Sequence, residues 1–345
     1  MIRIKPFRAS SKGGAAARHK AELEALKKNL QLAIELEHAT IPPYLYALYS
    51  IKDGRNLEAA ALIRSVVIQE MLHMAIDCNI LNAIGGRPKL ADPNFIPSYP
   101  GHLPGDVQDK LIVGLAPLSK QLLHDVFMMI EEPEHAVDGD PTPDDGVTIG
   151  EFYKEIQQQI VQAGKGGNIF TGDPAKQVTT GFAELQHLHI CDQKSALAGI
   201  ELIIRQGEGS SRSPLEPDGE LAHYYKYAEI YHGRKLVHNP DPKGEPPWAF
   251  LGHPIHFDPC GVEPVIVNPS SASYAGKPEL QRLNLNFNTG YSDLLRKLDL
   301  VFNGQPDQLG PALLFMQNMK SMAQYMMAQE VVPGQTAGPT FEWIA

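Results

Sequence analysis

Glu70 and His73 stand three residues apart in the run Leu62–Ile76, where nearly every other residue is apolar. Residues three apart on a helix share a face, so a carboxylate and an imidazole project together from a helix that should be buried almost all round. An ionised carboxylate buried without a partner costs several kcal/mol. A metal ion removes that cost, and a helical Glu-x-x-His is half of a dinuclear iron or manganese carboxylate site.

A second acid stands on the preceding helix. From Ala21 the apolar residues Leu23, Leu26, Leu30, Ala33/Ile34, Ile41 and Leu45 keep a 3–4 rhythm. Glu37 occupies that stripe, whereas Glu35, about 200° away from it, should face water. The two helices are joined by a turn at Asp53-Gly54-Arg55-Asn56, which makes them antiparallel neighbours. Glu37 and Glu70 lie about 13 residues on either side of that turn, so at roughly 1.5 Å per residue they reach the same height. Pro42-Pro43, one turn beyond Glu37, should kink or restart the helix and widen the bundle at that level.

The other half of a symmetric site is less defined. Past Pro- and Gly-rich residues 87–117, apolar segments are expected over Leu118–Glu132, from Thr148 to Ala163 and over about Phe182–Gln206, followed by an aromatic-rich helix at Leu221–His232. Neither Glu201 nor Glu208 opens a second Glu-x-x-His, since Ile204 and Ser211 stand three residues after them. The acids in play are Glu151 or Glu155 on the fourth segment and Glu201 or Glu208 on the fifth. Glu151 precedes its helix end by about the same interval as Glu37, and Glu208 sits between Gly207 and Gly209, where the backbone can approach closely. His223 is the best-placed second imidazole. Glu131, on the face of Phe127 and Met128, either reaches the site or caps its helix before Pro133, and it is left outside the expected ligand set.

The chain of 345 residues is 43% hydrophobic and 20% charged, with a formal charge of −10. This describes a globular chain with ample core and argues against a nucleic-acid surface. No apolar run looks long enough to span a bilayer, and the basic N-terminus lacks a signal-peptide apolar region, so a cytoplasmic location is expected. Cys78, Cys191 and Cys260 are too scattered for a disulfide scaffold or a zinc knuckle. His253-x-x-His256-x-x-x-Cys260 is broken by Pro254 and Pro259 and reads as loop; His187 and His189 point to different faces. Seven tyrosines (44, 46, 49, 153, 224, 225, 227) crowd the proposed ligands and read as core, with one beside the metal a potential hydrogen-bond donor or redox partner. A short strand at Pro264–Val267 and final helices at Tyr291–Phe302 and Pro311–Gln329 complete the outline.

The segments Glu35-Leu36-Glu37-His38-Ala39-Thr40-Ile41-Pro42-Pro43-Tyr44-Leu45, Glu70-Met71-Leu72-His73-Met74, Asn82-Ala83-Ile84-Gly85-Gly86, Gln206-Gly207-Glu208-Gly209 and Gly338-Pro339-Thr340-Phe341-Glu342 resemble the ferritin-like domain of iminophenyl-pyruvate dimer synthases. Those enzymes join two indole-pyruvate imines in violacein, rebeccamycin and staurosporine biosynthesis. The resemblance spans roughly residues 20–342 and implies a carboxylate-bridged metal site to which Glu37, Glu70, His73, Glu208 and His223 correspond.

The expected fold is therefore all-α, a ferritin-like four-helix bundle with extra helices and long loops. Residues 1–19 form a flexible lead-in, 20–235 the bundle, and 236–345 a loop-rich extension with two helices packed on it. The expected ligands are Glu37, Glu70, His73, Glu151, Glu208 and His223, around two iron ions, with manganese as the alternative metal. The expected activity is that of a di-metal oxidase or oxygenase taking O2 and a small amino-acid-derived or aromatic metabolite; imine coupling and noncatalytic metal binding are the alternatives. No nucleic-acid or membrane partner is expected, and a homo-oligomer is compatible with the sequence.

Overall fold

The computed structural model describes residues 7, 14–106, 111–133, 148–209, 213–216, 219–239 and 247–345, the side chains of Glu208 and Gln317 excepted. It is helical, as the spacing predicts. Helices α1 (Ala15–Tyr49) and α2 (Leu57–Ala83) form an antiparallel hairpin. Helices α5 (Ile149–Gly164) and α6 (Gln193–Glu208) pack on each other, α5 also on α1 and α6 also on α2. These four form the bundle.

Beside it, α3 (Lys120–Leu122), a π turn (Leu123–Phe127) and α4 (Met128–Ile130) run on as one helical segment. This segment packs against α7 (His223–His232), which in turn lies on α2. The extension contributes α8 (Pro278–Phe302) and α9 (Leu309–Met327), packed on each other, with α8 against α2 and α9 against α1. The large apolar core runs from Leu26 to Phe341 and so joins the extension to the bundle.

Several boundaries differ from those the spacing predicts. Helix α1 begins at Ala15, not near residue 21, and continues through Pro42 and Pro43. The carbonyl of Ala39, which the missing N–H of Pro43 would have served, accepts instead from Tyr99 Oη at 2.7 Å; a neighbouring hydroxyl thus replaces the lost bond. Helix α6 starts at Gln193 because Asp192 caps it, accepting from Ser195 N at 2.7 Å. Helix α8 starts at Pro278, thirteen residues before Tyr291. Val265 makes only an isolated bridge to Thr336, and the strands among the described residues are two small hairpins, Val237–His238 with Trp248–Ala249 and Glu330–Val332 with Gln335–Thr336. By length and composition α2 does resemble a membrane-crossing helix, contrary to the sequence expectation, but 61% of its most apolar window is buried inside the protein.

A candidate dinuclear metal centre

The metal-facing stripe of α1 carries Glu37, Thr40 and Tyr44, and that of α2 carries Glu70, His73 and Asp77. All six are buried. Glu37, Glu70 and His73 each offer one ligand atom such that all three lie within 4.8 Å of one another, and Glu70, Glu131 and His223 do the same. Glu70 belongs to both trios and is the carboxylate that would bridge two ions.

Each outer ligand is held by a polar partner, and the two halves match. Tyr153 Oη donates to Glu37 Oε1 at 2.5 Å and Tyr44 Oη donates to Glu131 Oε1 at 2.5 Å. His73 Nε2 lies 2.9 Å from Gln206 Oε1 and His223 Nε2 lies 3.1 Å from Gln69 Oε1. The two imidazole rings are stacked with centroids 5.4 Å apart. In the middle, Thr40 Oγ1 is 2.8 Å from both Glu70 Oε2 and the carbonyl of Glu37.

The second half also fixes the orientation of Gln69. Its Nε2 donates to both oxygens of Glu216 (3.1 and 3.0 Å), while its Oε1 accepts from Lys226 Nζ at 2.7 Å. Lys226 and Glu216 are a buried pair 3.3 Å apart. Facing an oxygen, His223 Nε2 must carry the proton, which leaves the Nδ1 lone pair towards Glu70 and Glu131. Metal-bound histidines are held by this arrangement, the far ring nitrogen donating to a protein oxygen.

The donor set fits divalent cations. His223 Nδ1 is buried and has no hydrogen-bond partner among the described residues, although Glu70 Oε1 is 2.8 Å away and Glu131 Oε2 is 3.4 Å away. A cation between them would give this nitrogen and both carboxylates a common partner. Among the described residues no lysine or arginine pairs with Glu37, Glu70 or Glu131. Three carboxylates and two imidazoles are a hard-oxygen and nitrogen set suited to iron or manganese.

Without metal the cluster must redistribute protons. Burial drives the Glu70 carboxyl well above its ordinary range, and the charges of Glu131 and Glu37 add to this. Burial also acts to raise Glu37, but the hydrogen bond and charge of His73, 3.3 Å away, outweigh it and the net shift is downward. His73 moves the opposite way: burial opposes its charge, and Glu37 followed by Glu70 raises it. In the metal-free centre the close Glu37–His73 contact thus favours the charged forms of that pair, while burial and its acidic neighbours disfavour the charged form of Glu70. Burial, then the charge of Glu37, pushes Asp77 well up. Tyr153 Oη is also 2.6 Å from Asp77 Oδ2, so its single phenol proton lies between two buried carboxyl groups, Glu37 and Asp77.

Of the expected ligands, Glu37, Glu70, His73 and His223 converge and Glu151 does not. It is exposed at the first turn of α5, where its Oε2 accepts from Thr148 N at 3.1 Å in a reciprocal capping box. Tyr153 takes the inward position at that level. The side chain of Glu208 lies outside the described residues. Glu201 is exposed and paired with Arg205 at 2.8 Å, and Glu155 is not part of either cluster. Glu131, left outside the expected set, closes the second trio. Its place directly after the greasy run Phe127–Ile130, first of the pair Glu131-Glu132, was the signal for it. Asp77 was also legible, four residues beyond His73 on the same stripe; Gln69, Gln206, Glu216 and Lys226 gave no sequence signal.

On helix α6, Gln206 contacts His73, and Gly207 presents no side chain: a Cβ added there would stand 4.0 Å from Glu131 Oε2, the one described atom within that distance apart from its chain neighbours and its own helix backbone.

A helical bundle with a buried carboxylate–imidazole cluster that could hold metal places the chain in a class of helical-bundle scaffolds. Residues 30–232 match the ferritin-like family model, and the chain belongs to the ferritin-like family. It is similar to the 2-imino-3-(indol-3-yl)propanoate dimerase of Chromobacterium violaceum, 27% identical over 63% of this chain and 24% of that protein. The chain thus spans about a quarter of that relative's length. A solved ferritin-like protein from Caulobacter vibrioides superposes with a TM-score of 0.58 at 24% identity, over 87% of this chain and 93% of that one, and shows the shared fold.

Proposed function

We propose that the protein is a dinuclear iron or manganese oxidase or oxygenase acting on a small amino-acid-derived or aromatic metabolite. The observation that carries this reading is the pair of buried trios sharing Glu70. Glu37 and His73 would hold one ion, Glu131 and His223 the other, with Glu70 between them. When bound, such a metal pair supplies redox chemistry with O2 and Lewis acidity towards a substrate oxygen or nitrogen.

The chain's own residues have distinct tasks. Tyr153 and Tyr44 fix the outer carboxylates, and Gln206 and Gln69 orient the imidazoles. The Asp77–Tyr153–Glu37 series holds a proton one hydrogen bond from the centre. The absence of a side chain at Gly207 leaves room for substrate beside Glu131, and the buried surroundings keep bulk water out.

Imine coupling is the second reading, favoured by the similarity to the dimerase. The two separate by experiment. Iron-loaded protein given an aromatic α-imino acid should consume O2 stoichiometrically with product and stop under anaerobic conditions. Dimer formation by metal-free protein without O2 would refute the oxidase reading and support the second.

A further inference from the structure

The α1–α2 hairpin has a second face. Residues one position after three of the candidate ligands, His38, Met71 and Met74, turn away from the centre and line a cavity closed by α8 and α9. Its wall is otherwise apolar, including Ile41, Leu295 and Met316, with Tyr49 and Tyr291 the other lining residues that carry a polar atom. The space open to the centre of a water-sized sphere is about 60 Å³.

Volume and wall chemistry select the occupant. A water needs about 10–15 Å³ by that measure and two to four polar partners. The space is ample, but Tyr291 Oη and His38 Nε2 are bonded to each other at 2.6 Å. Of the buried polar atoms of the lining, His38 Nδ1 has no partner among the described residues, and almost all of the cavity surface is apolar. Such a wall does not offer water the partners it needs, so water is disfavoured there. An apolar cavity of about 150 Å³ is known to admit benzene, well above the volume here as it stands, although methionine walls can swing aside.

We propose that this cavity binds a small, uncharged apolar molecule of about the size of dioxygen. For its role, though not for the binding itself, this rests on the oxidase reading: the occupant is the O2 that the centre consumes, held behind the helices that carry Glu37, Glu70 and His73.

Xenon, an apolar atom of similar size, tests the binding on metal-free full-length protein. Crystals pressurised with xenon should show it between Met71, Met74, Leu295 and Met316. Ala312→Phe, which fills the cavity from α9, should abolish the signal, and Leu298→Phe repeats the test from α8 should the first variant fold poorly. Met316→Ala should keep xenon and newly admit benzene. A wild-type cavity without xenon, or one that takes benzene as readily as xenon, overturns the assignment. In iron-loaded protein, the filled variants should raise the KM for O2 several-fold with iron content unchanged. An unmoved KM overturns dioxygen as the occupant. Failure to load either iron or manganese instead removes the oxidase reading, and the xenon result still decides the binding.

Discussion

Replacing Gln69 by leucine tests how the second imidazole is prepared for metal. The substitution keeps the side chain's approximate volume but removes the oxygen that accepts from His223 Nε2 and Lys226 Nζ, and the amide that donates to Glu216. The Lys226–Glu216 pair remains at 3.3 Å, so the network loses its link to the histidine and not its charge balance. Loss of such an outer partner lowers metal affinity about 10–100-fold, equivalent to about 1.4–2.8 kcal/mol. The loss falls on one ion, because His73 and Gln206 are untouched. Titration with Fe(II) or Mn(II) followed by calorimetry should show one tight step unchanged and one weakened. Nitrogen-15 NMR of metal-free wild-type protein should show His223 protonated at Nε2, and the leucine variant should show a tautomer mixture. Equal weakening of both steps, or an unaltered His223 tautomer, would refute the reasoning.

Other perturbations follow from the same geometry. Glu70→Ala should abolish loading of both ions, whereas Glu35→Ala should leave it intact, as read by elemental analysis. Glu131→Ala should lose one ion, while Glu151→Ala should retain both and cost only about 1 kcal/mol of stability through its lost capping contact. Glu70 has a folded pKa above its unfolded one, so its contribution to metal-free stability is complete in acid below its ordinary value and is lost as pH rises through the raised value. Metal-free Glu70→Gln should therefore be more stable than wild type at neutral pH, by about 1–2 kcal/mol, with the difference vanishing near pH 4 in denaturant titrations. Gly207→Leu should keep both ions but raise the KM for the organic substrate, since it fills the space beside Glu131.

Much of the centre was legible because its residues break a pattern. Glu37 and Glu70 are acids on apolar stripes, and equal distances from one turn place them level. The opposite side was harder, for three physical reasons. Helix counting gave Glu151 the right height but not the right direction, and its position at the first turn of α5 suits capping better than burial. The π turn at Leu123–Phe127 adds a residue to the helical count, shifting phase by about 100°, so Glu131 cannot be phased against the residues before Leu123. The partners of the histidines come from elements distant in sequence, Gln206 lying 133 residues from His73. In the fold, Pro42-Pro43 is read locally as a helix break, and only the distant Tyr99 hydroxyl shows why the helix continues.

The most direct test is the metal content of protein purified without chelator and then reconstituted anaerobically with Fe(II) or Mn(II). Shared coordination through Glu70 predicts about two ions per chain, falling to about one in His223→Ala and to none in Glu70→Ala. Wild-type protein that retains no metal, or a Glu70→Ala variant that retains two ions, would contradict the account.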